Sequence, residues 1–394
     1  MVNRKAWELG SSRSVIRELF AYGQQQRQAL GDDAVCDFSL GNPATPPPKG
    51  VLEALARLAQ SEDPTALHGY TAAEGAAATR EAVARSLNAR FSAGVTRGDV
   101  FMTAGAAPAL TAVFAALTVS PDTEFLALAP YFPEYAVFTG IKGARMRVVP
   151  SAADFSLDPA ALDACLTPAV QAVILNSPNN PSGVVYTEEN LRQVAEVLTR
   201  RSREWGHPIY IVCDEPYREL VYDGKAVPYV PGIYPNTVVC YSYSKCLSLP
   251  GDRIGYVLVP PTCEEHGDLL AAVAGAARAI GHVCAPATYQ VLVRECADEA
   301  PDLAFYDENR RLLYGALSEM GYELVYPAGA FYLLCRAPEG DGDAFSARAR
   351  EQNLLVVSGA GFGAPAYVRI AYCVSRETVL RSLPIFRRLM EEER

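Results

Sequence analysis

The stretch "VQAVILNSPNNPSG", Val170 to Gly183, is a continuous apolar run that ends abruptly in a polar turn. A short apolar run rich in Val and Ile predicts a strand that is buried on both faces. The Pro, Asn and Gly residues that follow are typical of a turn. A strand of this kind is found in parallel sheets that are covered by helices, so the stretch favours an α/β fold.

Runs of the same kind recur along the chain and alternate with amphipathic or Ala-rich segments such as residues 188–203. This alternation predicts a mostly parallel, two-sided sheet in a large α/β domain. The other runs are "EFLALA" (124–129), "RMRVVP" (145–150), "IYIVCD" (209–214) and "TVVCYSYS" (237–244).

One uncharged segment, residues 100–120, has nearly the length of a membrane span. Gly105 and Pro108 argue against one continuous helix there. We therefore predict a buried strand that ends near Met102 and a buried helix that starts near Ala106.

The pattern changes after about residue 285, where a helical segment is followed by the strand-like runs "AFYLLCR", "NLLVVS" and "YVRIAYC". We predict three regions from this change. Residues 1–45 form an N-terminal segment and part of a small domain, residues 46–285 the large domain, and residues 286–394 a small C-terminal α+β domain.

Composition limits the classes of partner and compartment. The net charge of −10 disfavours nucleic acid and anionic membranes as partners. The ten cysteines contain no C-x-x-C pair, and the N-terminus lacks a secretory pattern, so a reducing, cytoplasmic location is expected. The four histidines have no metal-ligand spacing, and we expect no metal site.

In open parallel sheets, ligands bind beyond the carboxyl ends of the strands. Asp214 ends one apolar run, Lys245 follows another, and Asn180 lies in the turn after "VILN". Each has an ordinary alternative: Asp214 could cap a helix, Lys245 could be a surface lysine and Asn180 a turn residue.

Taken together, the polar groups at the strand ends match the needs of a phosphorylated pyridine aldehyde. A buried lysine can form a Schiff base, and a carboxylate keeps a ring nitrogen protonated. Hydrogen-bond donors suit the ring phenolate, while a helix N-terminus, a hydroxyl and a cation suit the phosphate. Lys245 is the candidate for the Schiff base and Asp214 for the ring nitrogen, and Asn180 and Tyr217 are the candidate donors to the phenolate. The candidates for the phosphate site are Gly105, Ala106, Ala107, Ser242 and Arg253, and Phe132 would stack on the ring.

The motifs "YFPEY", "NSPNNPSG", "DEPY", "SYSK…PGDRIGY" and "VRIAY" occur in an order that resembles the class I/II aminotransferases, which are fold-type I enzymes dependent on pyridoxal 5'-phosphate. The resemblance extends from "SLGNP" to "VRIAY". It implies a mostly parallel seven-stranded sheet in a large domain beside a smaller α+β domain.

The resemblance also implies roles for individual residues. Lys245 would be the Schiff-base lysine and general acid/base, and Arg369 would hold the substrate α-carboxylate with help from Asn180 and the Gly41 backbone. Tyr70 would reach the cofactor phosphate of a neighbouring subunit in a homodimer. The implied reaction is ping-pong transfer of an amino group between an L-amino acid and a 2-oxo acid.

Substrate and subfamily remain open at this level. The chain has Ala106 and Ala107 where many relatives carry a hydroxyl, and Phe132 where tryptophan is frequent. Aspartate or a related amino acid with 2-oxoglutarate is the expected pair, which would need a second cation; Arg13, Arg17 and Arg278 are the candidates. One alternative is a carbon-sulfur β-lyase or another non-transaminating enzyme that uses the same lysine and aspartate. The other is a regulator with an aminotransferase-like sensor domain, which the acidic charge disfavours.

Overall fold

The computed structural model describes residues 1–11, 15–61 and 63–392. Its centre is a seven-stranded sheet with the strand order β2-β8-β7-β6-β5-β3-β4, in which β8 runs opposite to the other six strands. The predicted mostly parallel seven-stranded sheet is therefore confirmed. Its strands are β2 (Val100–Thr103), β3 (Glu124–Leu128), β4 (Arg145–Val149), β5 (Val170–Asn176), β6 (Tyr210–Glu215), β7 (Thr237–Ser242) and β8 (Gly255–Leu258).

The sheet is buried on both faces because helices cover each side. Successive strand residues point to opposite faces, so Ile211 of β6 packs into one core and Val212 into the other. One face is covered by α6 (Ala106–Leu117), α7 (Tyr135–Thr139) and α10 (His266–Ala279). The other is covered by α5 (Ala77–Phe91), α8 (Pro159–Cys165), α9 (Glu188–Trp205) and α11 (Ala287–Cys296).

The helix ends follow local sequence signals. The Thr187 side chain accepts a hydrogen bond from the Asn190 N–H at the start of α9, and Gly206 ends that helix with a φ of 74°. Strand β2 ends at Thr103 and α6 starts at Ala106, as predicted. Among the described residues, no helix combines the length and apolar content that crossing a bilayer requires.

The C-terminal region builds a smaller antiparallel sheet with the order β11-β12-β9. Its strands are β9 (Tyr332–Arg336), β11 (Val357–Ser358) and β12 (Tyr367–Ala371), while β10 (Leu354–Leu355) pairs in parallel with β1 (Cys36–Asp37) near the N-terminus. The helices here are α12 (Leu303–Met320), α13 (Gly342–Glu351) and α14 (Arg376–Glu391). The exact domain boundaries stay a prediction.

The N-terminal region joins these two parts. The helix α2 (Val15–Leu30) packs against β11, where Leu19 and Val357 share a core, and Arg27 forms an ion pair with Asp37. Before it, α1 (Arg4–Ser11) contacts the segment that follows α7: the Lys5 side chain donates a hydrogen bond to the Gly140 carbonyl. The helices α3 (Lys49–Leu58) and α4 (Pro64–His68) follow.

Candidate active site

A cavity of about 510 Å³ opens where β5, β6 and β7 end and α6 begins. Residues from distant parts of the chain line it because the carboxyl ends of parallel strands meet at one sheet edge. Most residues singled out from the sequence lie here: Gly41, Ala106, Ala107, Phe132, Asn180, Asp214, Tyr217, Ser242, Lys245, Arg253 and Arg369.

Asp214 lies near the end of β6 with its carboxyl group buried. Oδ2 accepts a hydrogen bond of 2.6 Å from the Tyr135 hydroxyl, while Oδ1 is buried and has no partner among the described residues. Burial raises the pKa of Asp214 to about 7, against the lowering effect of the Tyr135 hydrogen bond. One oxygen is thus held in place and the other is free to accept a hydrogen bond from a ligand.

Lys245 follows β7 in a buried turn. Its Nζ donates to the Gly41 carbonyl at 2.7 Å and lies 5.6 Å from the centre of the Phe331 ring. Burial lowers the pKa of Lys245 to about 8, and the charges of Arg253 and Arg369 act in the same direction. About a tenth of this amine is therefore neutral and nucleophilic at pH 7, far more than in a lysine with the usual pKa.

An anion cradle is formed at the start of α6. Gly105 precedes this helix with a φ of 90°, and a Cβ atom there would lie 2.6 Å from Arg253 Nη2. Arg253 Nη1 donates to the Pro250 carbonyl at 3.0 Å and to Ser244 Oγ at 3.3 Å, and Ser244 Oγ lies 2.8 Å from Ser242 Oγ. Free backbone N–H groups, hydroxyls and a fixed cation are the donors that a phosphate prefers.

Arg369 lies in β12 and is fully buried at the bottom of the cavity. Nη1 donates to Asn180 Oδ1 at 3.1 Å and Nη2 to the Ser39 carbonyl at 2.5 Å, while the Tyr332 ring stacks on the guanidinium at 4.7 Å. Its Nε is buried and has no partner in the described part of the chain. A buried guanidinium with one open edge is a receptor for a carboxylate.

Tyr332 joins several of these groups, although nothing in its local sequence singles it out. Its hydroxyl lies 3.0 Å from the Tyr217 hydroxyl, and a Cβ atom on Gly41 would lie 1.9 Å from it. The close approach requires glycine at position 41, where the carbonyl accepts the Lys245 hydrogen bond. Tyr332 thus contacts Arg369, Tyr217 and Gly41.

Other residues of the cavity were also missed. Tyr135, which holds Asp214, and Glu134, which lines the cavity, both lie within the "YFPEY" motif, but the sequence assigned them no role. Their position inside a recognised motif was the one signal by which these two residues could have been found.

Some predicted residues lie elsewhere. Tyr70 is 91% exposed and Arg278 is exposed on α10, so neither lines the cavity of its own chain. Arg17 does line the cavity, and Arg13 lies outside the described residues.

The residues present fit pyridoxal phosphate. The free Asp214 Oδ1 suits a protonated ring nitrogen, Lys245 the aldehyde, and the cradle around Arg253 the phosphate. Three chemically distinct parts of one molecule therefore have matching groups in one cavity.

Comparisons with known proteins agree with this geometry. The family model "Aminotransferase class I and II" matches residues 33–383. An aspartate/prephenate aminotransferase from Thermus thermophilus is 32% identical over 364 residues, covering 90% of each chain. The crystal structure of an amino transferase from Eubacterium rectale superposes with a TM-score of 0.97 at 46% identity, covering 100% of this chain and 99% of that one. Aspartate aminotransferase from Thermus thermophilus with maleate superposes with a TM-score of 0.86 at 26% identity, covering 99% of both chains.

Proposed function

The chain belongs to the class I and II aminotransferases, which are pyridoxal-phosphate-dependent enzymes, and from this premise we propose that its cavity transfers an amino group between an L-amino acid and a 2-oxo acid. The observation that carries the proposal is a pair of buried polar atoms, Asp214 Oδ1 and Arg369 Nε, that have no partner among the described residues and belong to the same cavity as Lys245. An acceptor and a donor left open in the cavity of a nucleophilic amine suit a bound cofactor and a bound substrate acid.

When bound, pyridoxal phosphate supplies an aldehyde that combines with amines and a protonated ring that accepts electrons. We propose that Arg253, Ser242 and the N–H groups of Ala106 and Ala107 hold its phosphate. Asp214 holds the ring nitrogen, Tyr135 fixing the orientation of that carboxylate.

The remaining residues act on the phenolic oxygen and the ring face. Tyr217 and Asn180 are within the cavity as donors to the phenolic oxygen, and Phe132 is the ring-stacking candidate. Since the Tyr217 hydroxyl is paired with that of Tyr332, its position is fixed before any ligand arrives.

Arg369 holds the substrate α-carboxylate in the proposed mechanism, and Lys245 moves the proton. With a substrate bound, the Lys245 Nζ would accept the proton from the substrate α-carbon, and its lowered pKa leaves more of the amine in the neutral form that can do so. The cavity accepts the amino acid first and the 2-oxo acid afterwards, so ping-pong kinetics are expected.

For the substrate pair, we propose aspartate or a related amino acid as donor and 2-oxoglutarate as acceptor. Two observations support an acidic substrate: relatives named as aspartate aminotransferases, and Arg17 at the cavity as a second cation. Undetectable turnover of aspartate beside rapid turnover of another amino acid would contradict it as donor.

We also propose a homodimer in which Tyr70 serves the neighbouring cavity, which its 91% exposure supports. The test mixes Lys245→Ala and Tyr70→Phe chains. In a heterodimer, the cavity that keeps Lys245 receives an intact Tyr70 from the other chain, so activity should exceed that of either variant alone. No gain on mixing would place Tyr70 outside the partner's site.

We also propose a cytoplasmic location, which the state of the cysteines supports. All ten cysteines are free thiols, and eight of them are buried. Such thiols are expected in a reducing compartment.

The function is tested by the visible absorption spectrum of the purified protein. Single amino acids are added one at a time, followed by a 2-oxo acid. Bleaching by an amino acid and recovery with the oxo acid support transamination. Persistent colour with release of ammonia and pyruvate from cysteine-type substrates would identify a β-lyase, and failure to bind the cofactor would refute the site.

A further inference from the structure

Tyr332 connects the small sheet to the large one inside the cavity. It opens β9 and lies directly opposite Ala371 of β12. Arg369 is two residues before Ala371 and so faces the same side of β12, which lets the Tyr332 ring reach its guanidinium diagonally across the small sheet. The Tyr332 hydroxyl extends further, to the hydroxyl of Tyr217, which follows β6 of the large sheet. One side chain therefore contacts both the carboxylate receptor and a candidate cofactor ligand.

The two phenols hold two hydrogens but share a single hydrogen bond. Burial raises the pKa of Tyr332 to about 12 and that of Tyr217 well above its ordinary value, so both hydroxyls keep their hydrogens at neutral pH. Either oxygen could be the donor in the 3.0 Å bond between them. Neither hydroxyl has a second partner in the part of the chain that the structure describes. One O–H is therefore left over for a ligand of the cavity.

The direction of this hydrogen bond follows from where the spare hydrogen is needed. In the proposed function, Tyr217 donates to the phenolic oxygen of the cofactor, and a phenol has one hydrogen to give. The Tyr217 oxygen must then accept the bond from Tyr332. If Tyr217 were the donor within the pair, its hydrogen would point at Tyr332 and would be lost to the cofactor.

A donor behind Tyr217 also makes Tyr217 itself a better donor. Hydrogen bonds in a chain polarise one another, and they are stronger in a buried site than in water. Against the effect of burial, the positive charge of Arg369 lowers the pKa of Tyr332, which strengthens the Tyr332 O–H as a donor. The chain of interactions thus runs from Arg369 through Tyr332 to Tyr217.

We propose that Tyr332 is a positioning residue that acts on the cofactor through Tyr217: its hydroxyl donates to the Tyr217 oxygen and so directs the single Tyr217 hydrogen at the phenolic oxygen. The inference rests on the proposed function. It has a consequence that can be measured, because the phenolic oxygen gains negative charge when the neighbouring Schiff-base proton leaves. A donor to that oxygen therefore favours loss of the proton, and weakening the donor should raise the pH at which the proton leaves.

The test titrates the visible spectrum of the enzyme with pyridoxal phosphate bound and reads the midpoint of its change with pH. Tyr332→Phe removes the hydroxyl and keeps the ring beside Arg369. Its midpoint should rise by roughly 0.4–1 pH unit, the effect of about one neutral hydrogen bond. Tyr217→Phe should raise the midpoint further, because it removes the donor itself.

The double variant shows whether Tyr332 acts through Tyr217. If it does, Tyr217→Phe with Tyr332→Phe should have the same midpoint as Tyr217→Phe alone, since the second hydroxyl no longer has a phenol to direct. The other ionisable groups that act on the two phenols, Asp214, Arg369 and Cys373, are the same in every variant.

Tyr222→Phe is the matched control, because it removes another buried tyrosine hydroxyl, one that donates to the Ala330 carbonyl at 2.6 Å. That carbonyl keeps the Tyr372 hydroxyl as a donor, and Tyr222 lies outside the cavity lining, so the midpoint should stay at the wild-type value.

Two results would overturn the proposal. One is a Tyr332→Phe midpoint equal to that of the wild type, including the case where only the thermal stability of the variant falls. The other is a Tyr332→Phe shift that is as large in the Tyr217→Phe background as in the wild type. Failure of the proposed function looks different: if the spectrum titrates but no amino acid bleaches it, transamination is refuted while the midpoints still decide the role of Tyr332. If the protein binds no pyridoxal phosphate, both are refuted.

Discussion

Replacing Arg369 by lysine is the sharpest test of how the cavity holds a substrate acid. Arg369 is fully buried, and two of its nitrogens are fixed by Asn180 Oδ1 and the Ser39 carbonyl, while Nε has no partner in the part of the chain that the structure describes. Lysine keeps the positive charge but cannot present the planar fork that binds a carboxylate with two hydrogen bonds.

The magnitude follows from the number of bonds lost. A lysine at this depth can reach one carboxylate oxygen in place of two, so one charge-assisted hydrogen bond disappears. Such a bond contributes about 1.5–3 kcal/mol. Since about 1.36 kcal/mol corresponds to a tenfold change, Arg369→Lys should lower kcat/KM for an amino acid roughly 10- to 150-fold.

The assay compares each amino acid with the amine that carries the same side chain and no α-carboxylate. Both enzymes are measured with both substrates, so the four values form a cycle that isolates the carboxylate contact. The amino acid to amine ratio should fall about 10- to 150-fold in the variant. An unchanged ratio, in a variant with the thermal stability of the wild type, would refute the assignment of Arg369 to the α-carboxylate.

Three further predictions concern the cofactor side of the cavity. Lys245→Ala should retain pyridoxal phosphate without covalent attachment and lose nearly all turnover, whereas Asp214→Ala should keep the attachment and lose the ring's electron acceptance; near-normal activity in either variant would contradict its role. Because burial lowers the pKa of Lys245 to about 8, its amine is neutral above that pH. Reaction of the cofactor-free protein with an amine-selective reagent should therefore rise with a midpoint near pH 8, and a midpoint at the usual lysine value of about 10.5 would show a solvated lysine. Ala107→Ser adds a hydroxyl at the start of α6 and should tighten cofactor binding about fivefold, the effect of roughly 1 kcal/mol; equal dissociation constants would mean that the hydroxyl does not reach the phosphate.

The elements that the sequence predicted well are those that depend on local pattern. The strand at Val170–Asn176 and the helix at Glu188–Trp205 appear where the apolar periodicity placed them. Asp214 and Lys245 could be picked out because polar residues after buried strands collect at one edge of a parallel sheet. Position along the chain carries this information, so no tertiary contact had to be known.

Other parts of the site required long-range contacts. Tyr135 lies 79 residues before Asp214, and Arg369 lies 330 residues after Ser39. Nothing in the local sequence of either pair says that the two will meet, since their approach is set by how helices and sheets pack on one another. Glu134 is of the same kind: its motif was recognised, but not the cavity that its carboxylate faces.

The sequence by itself therefore determined the fold class and the family, and it made Lys245 and Asp214 candidates, because strand periodicity and motif order can be read along the chain. The tertiary structure alone decided which polar atoms are left without partners. Among the described residues, Asp214 Oδ1 and Arg369 Nε are buried without a hydrogen-bond partner, and that outcome depends on the position of each neighbour in three dimensions.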